Sequence, residues 1–410
     1  MTFLQAVAGN LGRIPRLWND LDINLRKMIL IGFVEAGAVN AYISVLMPWY
    51  RSLGFASDAV GGLDSLLQVV VSVTALSAGV MADRLGRKRL FVLGQVVRCA
   101  AVVALLVVRS YWGIIATVVL RGLVTISSPA SSALMAGFTA RRNRATILGV
   151  KQTLYQLASV ITPLAAGFLA DGFGVKIPFA AGLALSLLAL FMSLSIEEPA
   201  PNGSVTGIAE RPQGEPILLR IRGLFAGDGA KTLSLLLAAS VVNGLANGST
   251  NILLPFTVMD RFSDSYGTMA GVLSAGALGT MLVLLIGGRI ADLKGRRFVI
   301  LTSGIVFPLL IMGAYLSVSI QQLTLSVLFV TMVGNISSPA IQAIYMEAVG
   351  EQDRATFAGL NTAFVSAGQA LGAVAAGFGD KANPTWAWIA TIAAFASQTL
   401  FYHLAVSKDS

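Results

Sequence analysis

The sequence predicts an all-α membrane protein of twelve transmembrane helices in two homologous six-helix halves, with both termini cytoplasmic. Three observations predict it: a composition that no soluble core absorbs, a one-sided distribution of basic residues, and an internal duplication. Of 410 residues, 55% are hydrophobic and 12% charged, and that charge fraction is roughly half the usual one for soluble domains. A span takes about 20 residues and a short connection about 10, so the length holds on the order of 12 spans. The apolar residues come in unbroken runs, whereas barrel strands alternate over about 10 residues, so neither a soluble enzyme nor a β-barrel fits.

Apolar runs set against polar breaks place the spans at 28–49, 59–82, 90–108, 112–137, 146–170, 177–195, 232–257, 267–291, 298–317, 322–346, 356–378 and 385–406. Residues 1–27 read as an amphipathic cytoplasmic segment on the membrane surface, with Arg13 and Arg16 among Phe3, Leu4, Leu11 and Trp18. The halves are then 28–195 and 232–406, joined by a cytoplasmic loop, 196–231, rich in proline and polar residues, and followed by a short tail, 407–410. With cytoplasmic termini the inner segments hold 21 of the 29 Lys and Arg residues, the outer loops hold five, and Arg98, Arg121 and Lys151 lie within spans. That is the positive-inside asymmetry, so the net charge of +9 reports topology and not a nucleic-acid partner. Cys99 is the single cysteine and lies in an apolar run, which excludes an intramolecular disulfide and a cysteine metal site. His403, the single histidine, reads as a packing or interfacial residue.

The duplication appears in three places. Gly79, Asp83 and Gly86 recur as Gly288, Asp292 and Gly295 at an offset of 209. The run ISSPA recurs from Ile126 to Ile336, Arg144-Ala145-Thr146 as Arg354-Ala355-Thr356, and AAGF from Ala165 to Ala375, all at an offset of 210. Gly37, Asn40 and Pro48 recur as Gly244, Asn247 and Pro255 at an offset of 207. Two like-oriented halves around a central cavity are the parallel repeat of a transporter.

The segment Gly79-x-x-x-Asp83-Arg84-x-Gly86-Arg87-Lys88 resembles the signature loop after the second span of the major facilitator superfamily. Its second copy is Gly288, Asp292, Gly295 and Arg296. With the spans and the long middle loop, the resemblance covers essentially the whole chain. It implies that these loops gate, with Asp83 making a contact that one conformation holds and the other breaks. In the fifth span, Gly149, Ala158, Thr162-Pro163 and Ala166-Gly167 have the spacing of the superfamily's antiporter motif, with Ala158, Thr162 and Ala166 where the pattern has glycine. The eleventh span keeps Gly359, Gly368, Gly372 and Gly377. Close helix packing explains the same small residues.

Ionisable groups inside spans are costly and mark pathways. Glu35 lies about 21 Å below the Trp49-Tyr50 pair, and Arg121 about 13 Å below Trp112, at 1.5 Å per residue. An ion pair between them across the cavity is the expectation. By resemblance Arg121 matches the fourth-span arginine associated with proton coupling. Burial disfavours the carboxylate's charge and a nearby cation restores it, so Glu35 takes a proton when the pair is disrupted. Asp64 is the second proton-coupling candidate, or else a solvated rim residue. Lys151 and Tyr155 share a helix face beside Gln152, with snorkelling and substrate contact both open for Lys151. Asn40, Tyr42, Gln68, Asn243, Asn247, Asn251, Asn335 and Gln369 are polar groups in apolar surroundings. They face the cavity or tie helices together, since lipid would not tolerate them.

The reading is a secondary transporter, not an enzyme. It moves a small solute by alternating access, as a proton-coupled exporter of small organic molecules in the cell (inner or plasma) membrane. Its partners are that solute and the bilayer; it works as a monomer, without a cofactor, on the proton gradient. No phosphate-binding GxxxxGK[ST] loop supplies ATP chemistry. The alternatives are an uptake symporter or facilitator of an anionic or zwitterionic solute, using Arg121 and Lys151, and a non-transporting membrane sensor.

Overall fold

The computed structural model describes residues 21–108, 110–139, 144–197, 225, 230–284, 290, 294–347, 349 and 354–406. The N-terminal segment up to residue 20, expected on the membrane surface, most of the central loop and the C-terminal tail lie outside the described residues. Within them all regular structure is helical. The spans are Ile23–Ser52, Ser57–Leu85, Arg87–Val107, 111–137, Arg144–Phe173 and Lys176–Leu194 in the first half. In the second they are Ala230–Arg261, Tyr266–Leu284, Arg296–Tyr315, 320–347, Arg354–Ala382 and Pro384–Val406. Eleven helical stretches are long and apolar enough to cross a membrane, and Pro384–Val406 completes the twelve as a 23-residue helix.

Most helices end a few residues away from the predicted bounds, and two differences from the sequence reading have a clear cause. The first span starts at Ile23 rather than residue 28, because the Asp22 side chain accepts from the amides of Asn24 (2.7 Å) and Leu25 (3.3 Å) and caps the helix there. The fourth and tenth spans are not single helices. The fourth divides at a short 3-10 turn, Val124–Ile126, and the tenth at Ser337. Each break falls at the start of the repeated ISSPA run, ahead of Pro129 or Pro339, whose missing amide and ring interrupt the helical hydrogen-bond ladder. The first copy also seats the third span, since a Cβ on Gly94 would occupy the position of Ser127.

Both signature loops turn on glycine. Gly86 (φ 87°) and Gly295 (φ 83°) adopt left-handed backbone where one span ends and the next begins, a conformation costly for any other residue. The side chains of Asp83 and Arg84, the backbone and side chains of Gly288 and Asp292, and the side chain of Arg296 lie outside the described residues.

The core has a clear polarity. At the end carrying the termini, apolar clusters stay within one half: Leu25, Ile29, Phe91, Leu134 and Ile196 in the first, and Leu236, Val299, Ile300 and Tyr402 in the second. Toward the opposite end one cluster runs through both halves, including Trp49, Leu63, Phe179, Phe256, Ala373 and Trp388. Two pseudo-symmetric seams seal that far end. Gly167 packs on the start of the eighth span at Tyr266 and Gly267, and Gly377, its repeat at offset 210, packs on the start of the second at Ser57 and Asp58. A Cβ at either glycine would overlap backbone. The AAGF repeat is therefore the seam itself.

Polar contacts close the same end. Asp171 accepts from Ser265 Oγ (2.7 Å) and from the amides of Tyr266 (2.9 Å) and Gly267 (2.8 Å), capping the eighth span from the other half. Its repeat, Lys381, pairs with Asp58 at 2.5 Å. Arg51 pairs with Asp260, reaches Asp264 at 3.5 Å and lies over the Phe256 ring. The conformation described is closed at the end opposite the termini.

Candidate functional site

Beneath that seal a cavity of about 290 Å³ lies between the halves. Its walls come from the first, second and fourth spans on one side and the seventh and eighth on the other. Aliphatic and methionine side chains, among them Met47, Leu63, Leu254, Met269 and Leu273, supply most of the surface. Against them stand two charges, Asp64 and Arg121, and the polar groups of Ser44, Tyr50, Gln68, Thr250 and Asn251.

Helix packing explains how Arg121 and Asp64 come together. A Cβ at Gly122 would run into Val70 and the Leu67 carbonyl, so the fourth span lies directly on the second at that point. Its neighbour Arg121 then faces the part of the second span that carries Asp64 and, one turn on, Gln68. Arg121 lies over the Tyr42 ring at 5.7 Å, and Asp64, Tyr42 and Tyr50 are its electrostatic neighbours. Tyr42 lies beside the sixth span at Gly182, which packs closely on the Ala38 carbonyl of the first.

Hydrogen-bond accounting separates this cavity from the rest of the interior. Seven buried side-chain polar atoms among the described residues have no hydrogen-bond partner in the protein, and four belong to cavity residues: Ser44 Oγ, Tyr50 OH, Asp64 Oδ2 and Arg121 Nε. Buried polar atoms are ordinarily satisfied, and leaving one unsatisfied costs about 1–3 kcal/mol. Four at one place, two on opposite charges, make a surface suited to a polar ligand.

The expected Glu35 to Arg121 ion pair is not formed. Glu35 pairs instead with Arg98 of the third span at 3.0 Å, and Gln95 Nε2 donates to the same carboxylate oxygen. Arg98 also donates to Gln95 at 3.2 Å. Gln95 and Arg98 are buried, and none of the three belongs to the cavity wall. The depth difference across the bundle was within an arginine's reach, but Glu35 found a nearer partner in Arg98. Coulomb attraction falls with distance while desolvation does not, so the nearer pairing wins in a low-dielectric interior.

The other polar candidates divide by what they touch. Gln68 and Asn251 line the cavity. Asn40 donates to Ser159 Oγ (3.0 Å) and the Ala36 carbonyl, tying the first span to the fifth. Asn247 donates to the Asn243 carbonyl (2.8 Å) and side-chain oxygen, so these two members of the asparagine stripe bond along their own helix. Asn335 ties the tenth span to the eighth through Thr280 (3.2 Å). The Gln369 backbone lies on Gly248 in the seventh to eleventh seam. Nearer the termini, the Lys151 stem lies over Gly32, Gln152 is exposed, and Tyr155 stands in the field of Arg98 and Glu35.

Ser44, Tyr50 and Thr250 are the cavity groups that sequence reasoning missed. Ser44, Met47 and Tyr50 recur every three residues on one face of the first span, a usable signal once that face is known to point inward.

Residues 28–236 and 236–406 each match the family model of the Major Facilitator Superfamily. The chain is 24% identical over 365 residues to Multidrug resistance protein 1 of Bacillus subtilis (strain 168), spanning 85% of this chain and 87% of that protein. It is 24% identical over 187 residues to Multidrug resistance protein MdtG of Escherichia coli, 43% of this chain and 45% of that one. Among solved structures, the peptide transporter POT in complex with sulfate superposes with a TM-score of 0.74 at 17% identity, over 94% of both chains. The nucleoside transporter NupG gives a TM-score of 0.69 at 15% identity, over 95% of this chain and 100% of that one. At such identities these structures share the fold.

Proposed function

The chain belongs to the Major Facilitator Superfamily, and from a multi-pass membrane transporter of that family we propose a proton-coupled exporter of small organic molecules. The observation that carries this reading is the cavity: mostly aliphatic walls around an acid and a base, both with unpartnered atoms. Substrate and proton compete for Asp64. When the carboxylate is ionised it holds a substrate donor group, and when protonated it releases that group. Arg121 stands beside it as its electrostatic neighbour.

Asp64 takes the role first expected of Glu35, because Glu35 is already paired with Arg98 and hydrogen-bonded by Gln95 away from the cavity. The proton gradient is the energy source and no cofactor is needed. The protein acts as a monomer in the inner or plasma membrane, its termini cytoplasmic, as the basic residues indicate. The conformation closed at the far end is then the one facing the cytoplasm. Export is supported by relatives named for multidrug resistance, one of them along most of its length.

The test is flux in liposomes with and without a pH gradient. Asp64→Asn is expected to reduce gradient-driven flux to the level of protein-free vesicles, while Glu35→Gln retains it. Undiminished gradient-driven flux by Asp64→Asn removes the proposal. Loss in Glu35→Gln alone, at equal folded protein, returns the role to the first span.

A further inference from the structure

On the reading that the central cavity is the substrate site, we propose that its substrate is a small zwitterion. The molecule would carry an ammonium group and a carboxylate or similar anion on a compact apolar body. Four observations lead there. First, Asp64 and Arg121 belong to one wall and are electrostatic neighbours, yet Asp64 Oδ2 and Arg121 Nε both lack a partner in the protein. An acid and a base that leave each other's atoms unsatisfied make a pair of poles that a ligand can bridge. Second, Tyr50 OH and Ser44 Oγ, also unpartnered, stand on the same cavity and add neutral hydroxyls for the ligand's polar end. Third, the remaining surface is chiefly aliphatic, so the ligand's body is apolar. Fourth, about 290 Å³ is at the lower edge of the roughly 300–1,000 Å³ of drug-sized pockets.

Charge arithmetic selects among ligands of that size. Asp64 and Arg121 sum to zero. A monocation that satisfies Asp64 leaves Arg121 as an uncompensated cation in a low-dielectric cavity, and a monoanion that satisfies Arg121 strands Asp64. Each case forfeits part of what the other pole would supply, because an unpaired buried charge is strongly unfavourable. A zwitterion answers both poles at once. Glu35 and Arg98 do not disturb this balance, since they neutralise each other outside the cavity wall. The C-terminal half contributes only neutral groups there, Thr250 and Asn251.

The experiment compares three probes on one scaffold against the purified full-length protein by calorimetry: phenylalanine (zwitterion), phenethylamine (cation) and 3-phenylpropanoate (anion). The wild-type chain is expected to bind phenylalanine at least about tenfold more tightly than either singly charged probe, a difference of about 1.4 kcal/mol. Asp64→Asn removes the negative pole and should transfer the preference to 3-phenylpropanoate. Arg121→Gln should transfer it to phenethylamine. A wild-type preference for either singly charged probe, or no binding of any of the three, overturns the proposal without recourse to variants. Variants that lose all three probes equally, while keeping the wild-type melting temperature, overturn it as well. The expected binding order without flux in liposomes would refute the transport reading and leave the ligand class standing. Gradient-driven flux of another solute, without that order, would do the reverse.

Discussion

Lys151 of the N-terminal half lays its stem across Gly32, whereas its repeat in the C-terminal half, Asn361, accepts a hydrogen bond from Ser240 at 2.5 Å. Ser240 is bonded in turn to Tyr345 (2.9 Å), and Tyr345 to Tyr402 (3.2 Å). The same contrast recurs at Arg121, which faces the cavity, and its repeat Thr331, whose hydroxyl is satisfied by the Leu328 carbonyl. Five of the seven unpartnered buried atoms among the described residues belong to the first half, and the second has only Ser274 Oγ and His403 Nδ1. One backbone plan thus carries two kinds of interior. Polarity in the second half is largely consumed in holding helices together, while several polar atoms in the first have no partner in the protein.

Helix seams differ in the opposite sense. Where the seventh and eleventh spans meet, Gly244, Gly248, Gly368 and Gly372 bring backbone onto backbone. In the first half Ala158 and Thr162 replace Gly368 and Gly372, and a hydrogen bond from Asn40 to Ser159 substitutes for part of that contact. The departures from the antiporter pattern in the fifth span therefore have a structural consequence: a seam made of side chains.

The strongest way to break this contrast is to unbalance the charged interior. Glu35→Gln leaves Arg98 as a buried cation without its counter-charge and should lower stability by about 3–5 kcal/mol, read from denaturant unfolding in detergent. Glu35→Met combined with Arg98→Met should restore most of it; failure of the pair to recover would mean that Glu35 contributes by other contacts. Next comes the glycine seam. Gly372→Leu forces a side chain onto the Leu245 backbone and should cost about 1–3 kcal/mol, by the same measurement. Gly359→Ala, with open space beside it, should change stability by less than about 0.5 kcal/mol. Equal effects at the two positions would show that the seam is not what those glycines serve.

The two far-end latches give the smaller effects and sharpen the comparison of halves. Asp171→Ala removes a carboxylate from a helix N-terminus and should favour opening of the far end by about 1 kcal/mol, seen as a shift in distance distributions between spin labels on the fifth and eighth spans. Lys381→Ala breaks a largely exposed ion pair and should shift the same equilibrium by less than Asp171→Ala does, and by less again at high salt. A larger effect at Lys381 than at Asp171 would reverse the ranking of the seams.

Much of this was legible in the sequence. Long apolar runs gave the twelve spans, and the repeated AAGF and ISSPA runs marked features that prove to be the far-end seam and the paired helix breaks. Asp64, Gln68, Arg121 and Asn251 were singled out as polar exceptions, and all four line the cavity. The partner of Glu35 was not legible. Sequence spacing fixes depth along a helix, and depth allowed Arg121; which arginine meets Glu35 depends on how each helix is rotated about its axis.

The sequence by itself determined that the chain crosses a membrane, how often, and that it was built by duplication. Those properties follow from composition and periodicity, which the backbone's need for internal hydrogen bonds in lipid turns directly into helices. Tertiary structure alone decided which charges neutralise each other and which face the cavity. Gly94 against Ser127 and Gly122 against Val70 set the third and fourth spans against their neighbours. Those contacts deliver Arg98 to Glu35 and Arg121 to Asp64, because in a close-packed interior a small residue decides which helices touch and how they are turned.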